Sequence, residues 1–307
     1  MPTVRVAGST ITIETDLLSA QVHTKGYVSG VAAGTLRDKQ TGATDLGFGL
    51  DIVDFLLEPL ADEPGAADHP YPRGDLYHGH LVKRYVELPQ ICTQARRLEY
   101  RVHELGEAVV VEQWHRWSGA TYGREPGSLW EQTLVFRDGL RYFLAADRVT
   151  SANDVDRLAL RIDMPGHLKH SAGDSFERLF LSYHGEIPAA EFAEDFPPDA
   201  RFLYQRREQH VPEYMIRAYQ VRRDGGPGPW LAGITLDPGL VSEAWCHQRG
   251  YVCFIEEIGG RHVGRGEQFG AAYAVGWFDD VAQMQQTADA HRGVAGLRLE
   301  DGRVVLQ

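Results

Sequence analysis

The sequence predicts an all-β protein, an antiparallel β-sandwich with few short helices. Three observations carry this expectation. Most of the 307-residue chain alternates apolar and polar residues with period two, turn-forming segments interrupt it at short intervals, and helical spacing is scarce. No repeat, coiled coil or low-complexity tract divides the chain, so one sandwich domain over residues 1–307 is expected.

Taken in order, "STITIETD" alternates as a half-buried strand does. The segment "EAVVVEQWHRW" would place Glu112, Trp114 and Arg116 on one face and Gln113, His115 and Trp117 on the other. "LWEQTLVFRDGLRYFLAADRVT" reads as a hairpin, with Asp138-Gly139 as a dipeptide that favours a tight primed turn. "RLALRIDM", "ERLFLSYH", "EYMIRAYQVRR", "WLAGITL", "YVCFIEEI" and "QFGAAYAVGWF" add strands, broken by "DGGPGPW", "LDPG" and "GGRHVGRGE". "PAAEFAEDF" suits one short helix. A C-terminal helix is expected near 279–292, where Asp279 or Asp280 can cap and Val281, Met284 and Ala288 follow helical spacing. A long irregular loop, rich in Pro, Gly and acid, is expected at 58–74.

Composition bounds the function. The formal net charge of −12 argues against a nucleic-acid partner, because phosphate recognition needs a basic face. Cys92, Cys246 and Cys253 are an odd number without paired spacing, which suggests neither a disulfide scaffold nor a cysteine zinc site. No apolar run reaches membrane-span or signal-peptide length, so the chain as given reads as soluble and cytoplasmic, with no membrane partner. A leader cleaved from a precursor would leave the same start. There is no G-x-S-x-G elbow, P-loop or Rossmann glycine fingerprint.

Candidate chemistry centres on a triplet written twice, Tyr77-His78-Gly79 and Tyr183-His184-Gly185. Either the recurrence is chance or both histidines point into one cleft. Histidine titrates near neutrality and suits proton transfer. His78 and His80 would share a strand face and could hold a divalent metal, although a catalytic zinc normally takes three protein ligands. Otherwise no cofactor is expected. Arg84 and Arg116 are cations able to grip an anionic sugar, or else ordinary members of solvated ion pairs. Trp114, beside His115 and Arg116, could present a platform to a sugar ring, or could be core.

The N-terminal "ITIETDLLSAQVHTKGYVSGVAAGTLRDKQTGATDLG" resembles the opening of galactose-mutarotase-like (aldose 1-epimerase-like) proteins. "LYHGH" is similar to that superfamily's early histidine segment, "SYHGEIP" falls where its second histidine is expected, and "YVCFIEEIGGRHVGRGEQFGAAYAVGW" resembles its late glutamate segment. The resemblance implies a supersandwich fold and catalytic roles for His78, His184 and Glu256. Glu256 would take the anomeric hydroxyl proton, His184 would protonate the ring oxygen and His78 would hydrogen-bond the sugar, with Tyr77, Tyr183, His80, Arg84, Arg116 and Trp114 contributing to substrate binding. Three departures stand: Glu257 occupies the place of the usual proline, which leaves open which glutamate faces the cleft, the central H-x-Y-F-N-L type motif is missing, and the arginine that precedes the first histidine has no clear counterpart, although Arg73 is near. The expected function is therefore epimerase-like acid–base chemistry on a mono- or oligosaccharide. A polysaccharide lyase or glycoside-cleaving enzyme for uronate-containing sugars is the first alternative, and a non-catalytic carbohydrate-binding domain the second. The oligomeric state is not legible.

Overall fold

The alternation resolves into two large antiparallel sheets laid face to face. The computed structural model describes residues 1–28, 30–59, 83–121, 123–170, 175–196, 201–223 and 225–307. The chain opens with a small sheet of β1 (Thr3–Ala7), β2 (Thr10–Glu14), β3 (Leu18–His23) and β5 (Arg37–Asp38), beside the short pair β4 (Val31–Ala32) and β6 (Gly49–Leu50). A seven-stranded sheet follows. Its members, from edge to edge, are β11 (Gly119–Ala120), β8 (Lys83–Leu88), β7 (Ile52–Pro59), β14 (Val155–Leu168), β21 (Val252–Val263), β20 (Val241–Gln248) and β17 (Leu203–Gln205).

Against it lies a nine-stranded sheet. It runs β16 (Gly185–Pro188), β15 (Phe176–Leu181), β18 (Met215–Arg223), β19 (Gly226–Thr235), β22 (Gln268–Phe278), β13 (Tyr142–Thr150), β12 (Leu129–Arg137), β10 (Ala108–Arg116) and β9 (Glu99–Glu104). This is the antiparallel sandwich that the alternation predicts. Among the described residues the only α-helices are α1 (Ile91–Gln94) and α2 (Val281–Ala290), and no helix is long and apolar enough to cross a membrane.

One core fills the space between the sheets. Leu158, Leu160, Ile162 and Met164 of β14 and Phe254 of β21 meet Tyr219, Leu231, Val275 and Trp277 of the facing sheet. Each such side chain contributes about 1.5–3 kcal/mol on burial. The sheets approach so closely at Gly233 that a Cβ there would lie 2.6 Å from the Met164 side chain. A second apolar layer on the far side of the nine-stranded sheet joins Ile234 and Ala272 to Met284 and Ala288 of α2 and to Leu297 of the terminal hairpin, β23 (Leu297–Glu300) and β24 (Arg303–Leu306).

Local details refine the expectations. Four residues, 138–141, separate β12 from β13, and of Asp138 and Gly139 only the glycine has positive φ, so the turn is not the two-residue primed type. Arg141 explains the extra length, because its guanidinium is held by Asp38 at 2.7 Å and Asp279 at 2.5 Å. "PAAEFAEDF" forms a single 3-10 turn at Ala189–Phe192. The C-terminal helix is shorter than 279–292 and is capped by Asp280, whose Oδ1 accepts from the Gln283 N–H at 2.8 Å. Glu58 and Pro59 end β7, and the rest of the expected 58–74 loop lies outside the described residues.

Candidate functional site

The outer face of the seven-stranded sheet, turned away from the core, carries a dense set of charged and titratable side chains. Cross-strand register sets the first half of it. Arg161 of β14 sits opposite Glu257 of β21, which in turn sits opposite Glu243 of β20. Glu257 accepts from Arg161 at 2.6 Å and from Lys83 at 2.7 Å, and Lys83 also reaches Glu243 at 2.6 Å. Both cations lie over the ring of Trp245, at 5.1 Å and 5.2 Å. Burial by itself would raise the Glu257 carboxyl, but Lys83 and Arg161 outweigh it and hold the group below its ordinary range. A cavity of about 80 Å3, lined by Gln205, Arg206, Glu243 and Glu257, opens at this end.

Two β-bulges build the second half. Between Asp163 and His167 the β14 register slips so that four residues of β14 span the distance from Ile255 to Cys253 on β21. Extended chain would separate i and i+4 by about 13 Å. The bulge compresses them, and His167 Nε2 meets Asp163 Oδ2 at 2.9 Å. Pro165 and Gly166 make this bulge, and Gly166 is required there. Its φ is +96°, and a Cβ would fall 1.9 Å from the Gly49 carbonyl oxygen. The second bulge lies in β7, where Val53 and Phe55 pair with Ile162 and Arg161 and leave Asp54 as the extra residue. Its carboxylate accepts from Gln90 at 2.7 Å and from the Cys92 thiol at 3.2 Å.

These surroundings separate the proton affinities of neighbouring groups. Burial, then the Asp163 charge, push Asp54 up to about 7. Burial opposes a charged imidazole at His167, but Asp163 dominates and raises it well above the ordinary histidine value. His247, opposite Cys253 on the same face, is lowered to about 4 by burial. His167 is 16% exposed at its side chain, and Tyr251, 39% exposed, stacks on its ring at 5.1 Å with Phe48 alongside. The arrangement offers an acid, a base near its half-ionised point, fixed cations and an accessible aromatic edge. Among the described residues no three His, Cys, Asp or Glu side chains are grouped to hold a metal ion.

The residues singled out from the sequence fall in several places. Tyr77, His78 and His80 lie outside the described residues. Glu256 points the other way from Glu257, into the core, where it is 0% exposed and paired with Arg217 at 2.8 Å and Thr235 at 2.8 Å. This corrects its expected position beside a sugar. His184 sits exposed on the turn between β15 and β16, its ring against Phe202 at 4.8 Å, so it shares no surface with the sealed Glu256. Tyr183 packs on the core with its ring 5.7 Å from Tyr204. Arg84 is bound by Glu58 at 2.5 Å, and Glu58 also holds Arg124. Trp114 and Arg116 lie on the outer face of the nine-stranded sheet, as their alternation with buried Gln113 and Trp117 implies.

Asp54, Asp163 and His167 escaped the sequence reading because strict alternation assigns no common face across a bulge. The signal available was "MPGH": Pro-Gly inside a strand pattern marks a bulge.

No family model and no curated protein matches the chain. Solved structures similar to it include an α-mannosidase from Enterococcus faecalis, at TM-score 0.53 and 12% identity over 94% of this chain and 32% of that one. A galactose 1-epimerase from Lactobacillus acidophilus is similar at TM-score 0.44 and 9% identity, over 91% of this chain and 98% of that one. A 4-α-glucanotransferase from Thermococcus litoralis is similar at TM-score 0.43 and 11% identity, over 90% and 39%. The chain thus spans about a third of the mannosidase and 39% of the glucanotransferase. The likeness is one of fold.

Proposed function

We propose that the chain is a carbohydrate-active enzyme that performs general acid–base chemistry on a sugar ring at the outer face of the seven-stranded sheet. In the epimerase-like form of the reaction, a base takes the anomeric hydroxyl proton and the bond from C1 to the ring oxygen breaks. An acid protonates the ring oxygen, giving the open aldehyde. Closure on the other face of that aldehyde reverses both transfers and returns both protons. His167, kept protonated by Asp163, is the acid, and Asp54 is the base. Glu257, buried between Lys83 and Arg161, holds those two cations in place.

The observation that carries this reading is the juxtaposition of Asp54, Asp163 and His167, in which burial and the Asp163 charge lift Asp54 to about 7 and the Asp163 charge raises His167 well above the ordinary histidine value. Asp54 takes the role first given to Glu256, His167 takes the one first given to His184, and His184 has none. Residues 60–82 link Pro59 to Lys83, and His78, with Tyr77 and His80, keeps its proposed part of hydrogen-bonding the sugar. Resemblance in fold to an epimerase and to a mannosidase accords with a saccharide substrate.

The test is anomer interconversion followed by NMR across neutral and acidic monosaccharides. Acceleration that Asp54→Asn and His167→Asn each reduce by about a hundredfold or more is expected, and no acceleration across the panel would remove the reading. Tyr251 against His167 favours one alternative, a lyase in which the tyrosine handles the C5 proton of a uronate. An ultraviolet-absorbing unsaturated product from uronate polymers would select it, and new reducing ends without such absorbance would select glycoside cleavage. Sugar affinity without turnover would mark a binding domain.

A further inference from the structure

The outer face of the nine-stranded sheet contains a groove that starts at a cavity walled also by Ile258, Gly259 and Arg261 of β21 and runs away from it to β9. Two cavities of about 290 Å3 each share Glu131, Thr133, Arg148 and Leu297 as lining. A third, of about 410 Å3, shares Trp114 and Leu129 with the second. Together they cross the sheet from β22 to β9, four inter-strand spacings or about 19 Å. The terminal hairpin supplies one wall through Leu297 and Arg298. This is the length of several linked sugar rings and exceeds what one monosaccharide needs.

The floor has a distinct chemistry. Trp114 is partly exposed, with the Arg101 guanidinium over its ring at 5.3 Å, which forms a flat aromatic and cationic platform. Arg97, Arg101, Arg116 and Arg298 have no carboxylate at ion-pair distance among the described residues. Outside the groove some exposed arginines are paired, as Arg201 is with Glu191 and Arg265 with Glu125, and others, such as Arg5 and Arg303, have no carboxylate at ion-pair distance among the described residues. Glu112 and Glu131 are taken by His103 at 2.8 Å and Arg148 at 2.9 Å, which leaves Glu99, opposite Trp114 on β9, as the acid among the four arginines. On a chain of net charge −12, Arg97, Arg101, Arg116 and Arg298 therefore line one end of this groove with Glu99 as the acid between them. Guanidinium groups match carboxylates or sulfates geometrically. The groove runs across the strands and ends at the edge strand β9, so a ligand lying along it crosses the strands and does not pair with them as a further strand.

We propose that this groove binds a linear anionic oligosaccharide, one ring stacked on Trp114 and its acidic groups on Arg101, Arg116 and Arg298. The site is separate from the catalytic face and would tether a polymer while that face acts. Calorimetry on the full chain with hexagalacturonate and a heparin-derived hexasaccharide tests it, with maltohexaose and hexaglutamate as controls. Binding of at least one acidic sugar is expected, weakened about tenfold in Trp114→Ala and again in Arg101→Ala, and unchanged in His167→Asn. Circular dichroism confirms that each variant is folded. Four results would each overturn the proposal: no binding of either acidic sugar, equal binding of maltohexaose or hexaglutamate, indifference to Trp114→Ala in a folded variant, or loss of binding in His167→Asn. Because the two faces are probed by different variants, failure here leaves the catalytic reading standing, and the converse holds.

Discussion

Glu256 and Glu257 are consecutive residues of β21, yet strand alternation sends them to opposite sides of the sheet and into opposite electrostatic fates. Glu256 enters the core, where burial raises its carboxyl despite the Arg217 charge. It shares that interior with Asp51 and with Asp147, which burial lifts to about 6, and the Arg217 charge acts on both Glu256 and Asp51. Glu257 faces outward between two cations and is driven down. Both are fully buried ionisable groups. The ratio of cations to acids sets the direction in which each is shifted, and the sheet sets that ratio separately on each face.

Several measurements would break or sharpen this contrast. Arg217→Met should have the largest effect, about 3–5 kcal/mol by denaturant unfolding at neutral pH, because it leaves Glu256 buried without its countercharge. Asp54→Asn should cost about a hundredfold or more in turnover and abolish the acid limb of the wild-type pH profile. That limb rises through about pH 7 as Asp54 ionises, and activity falls again above the raised value of His167.

The two glutamates should also respond to pH with opposite signs. For Glu257, the folded value lies below the unfolded one, so its stabilisation is present above the ordinary 4.5 and is lost as pH falls through the folded value. The Tm gap between wild type and Glu257→Gln should therefore close on acidification. For Glu256, with a raised folded value, stability drains as pH rises through that value, and the gap to Glu256→Gln should close in the alkaline direction. Parallel pH curves for the two variants would show that the faces are electrostatically alike. Asp280→Ala, loss of the α2 cap, should cost about 1 kcal/mol. His184→Ala should change stability by less than about 0.5 kcal/mol and leave turnover intact, and a large loss of turnover would return His184 to the site.

Much of the fold was legible because burial on one face of a strand imposes alternation on the residues themselves. "EAVVVEQWHRW" and "QFGAAYAVGWF" are strands as expected, and Asp280, one of the two expected caps, caps the C-terminal helix. The site was less legible. Arg84 and Arg116 read equally as sugar-binding cations, yet one is held by Glu58 and the other lies on the far sheet. The repeated Tyr-His-Gly carried no face assignment, since His184 falls in a turn where period two no longer applies.

The sequence by itself determined the elements and the side of the sheet that each regular strand residue faces, because side-chain direction in extended backbone is a local property with a fixed period. Only the tertiary structure decided which acids meet which cations. Those meetings depend on register between strands distant in the chain and on two bulges that move Asp54 and His167 out of period, and the energy of a charge is set by neighbours that local spacing does not name.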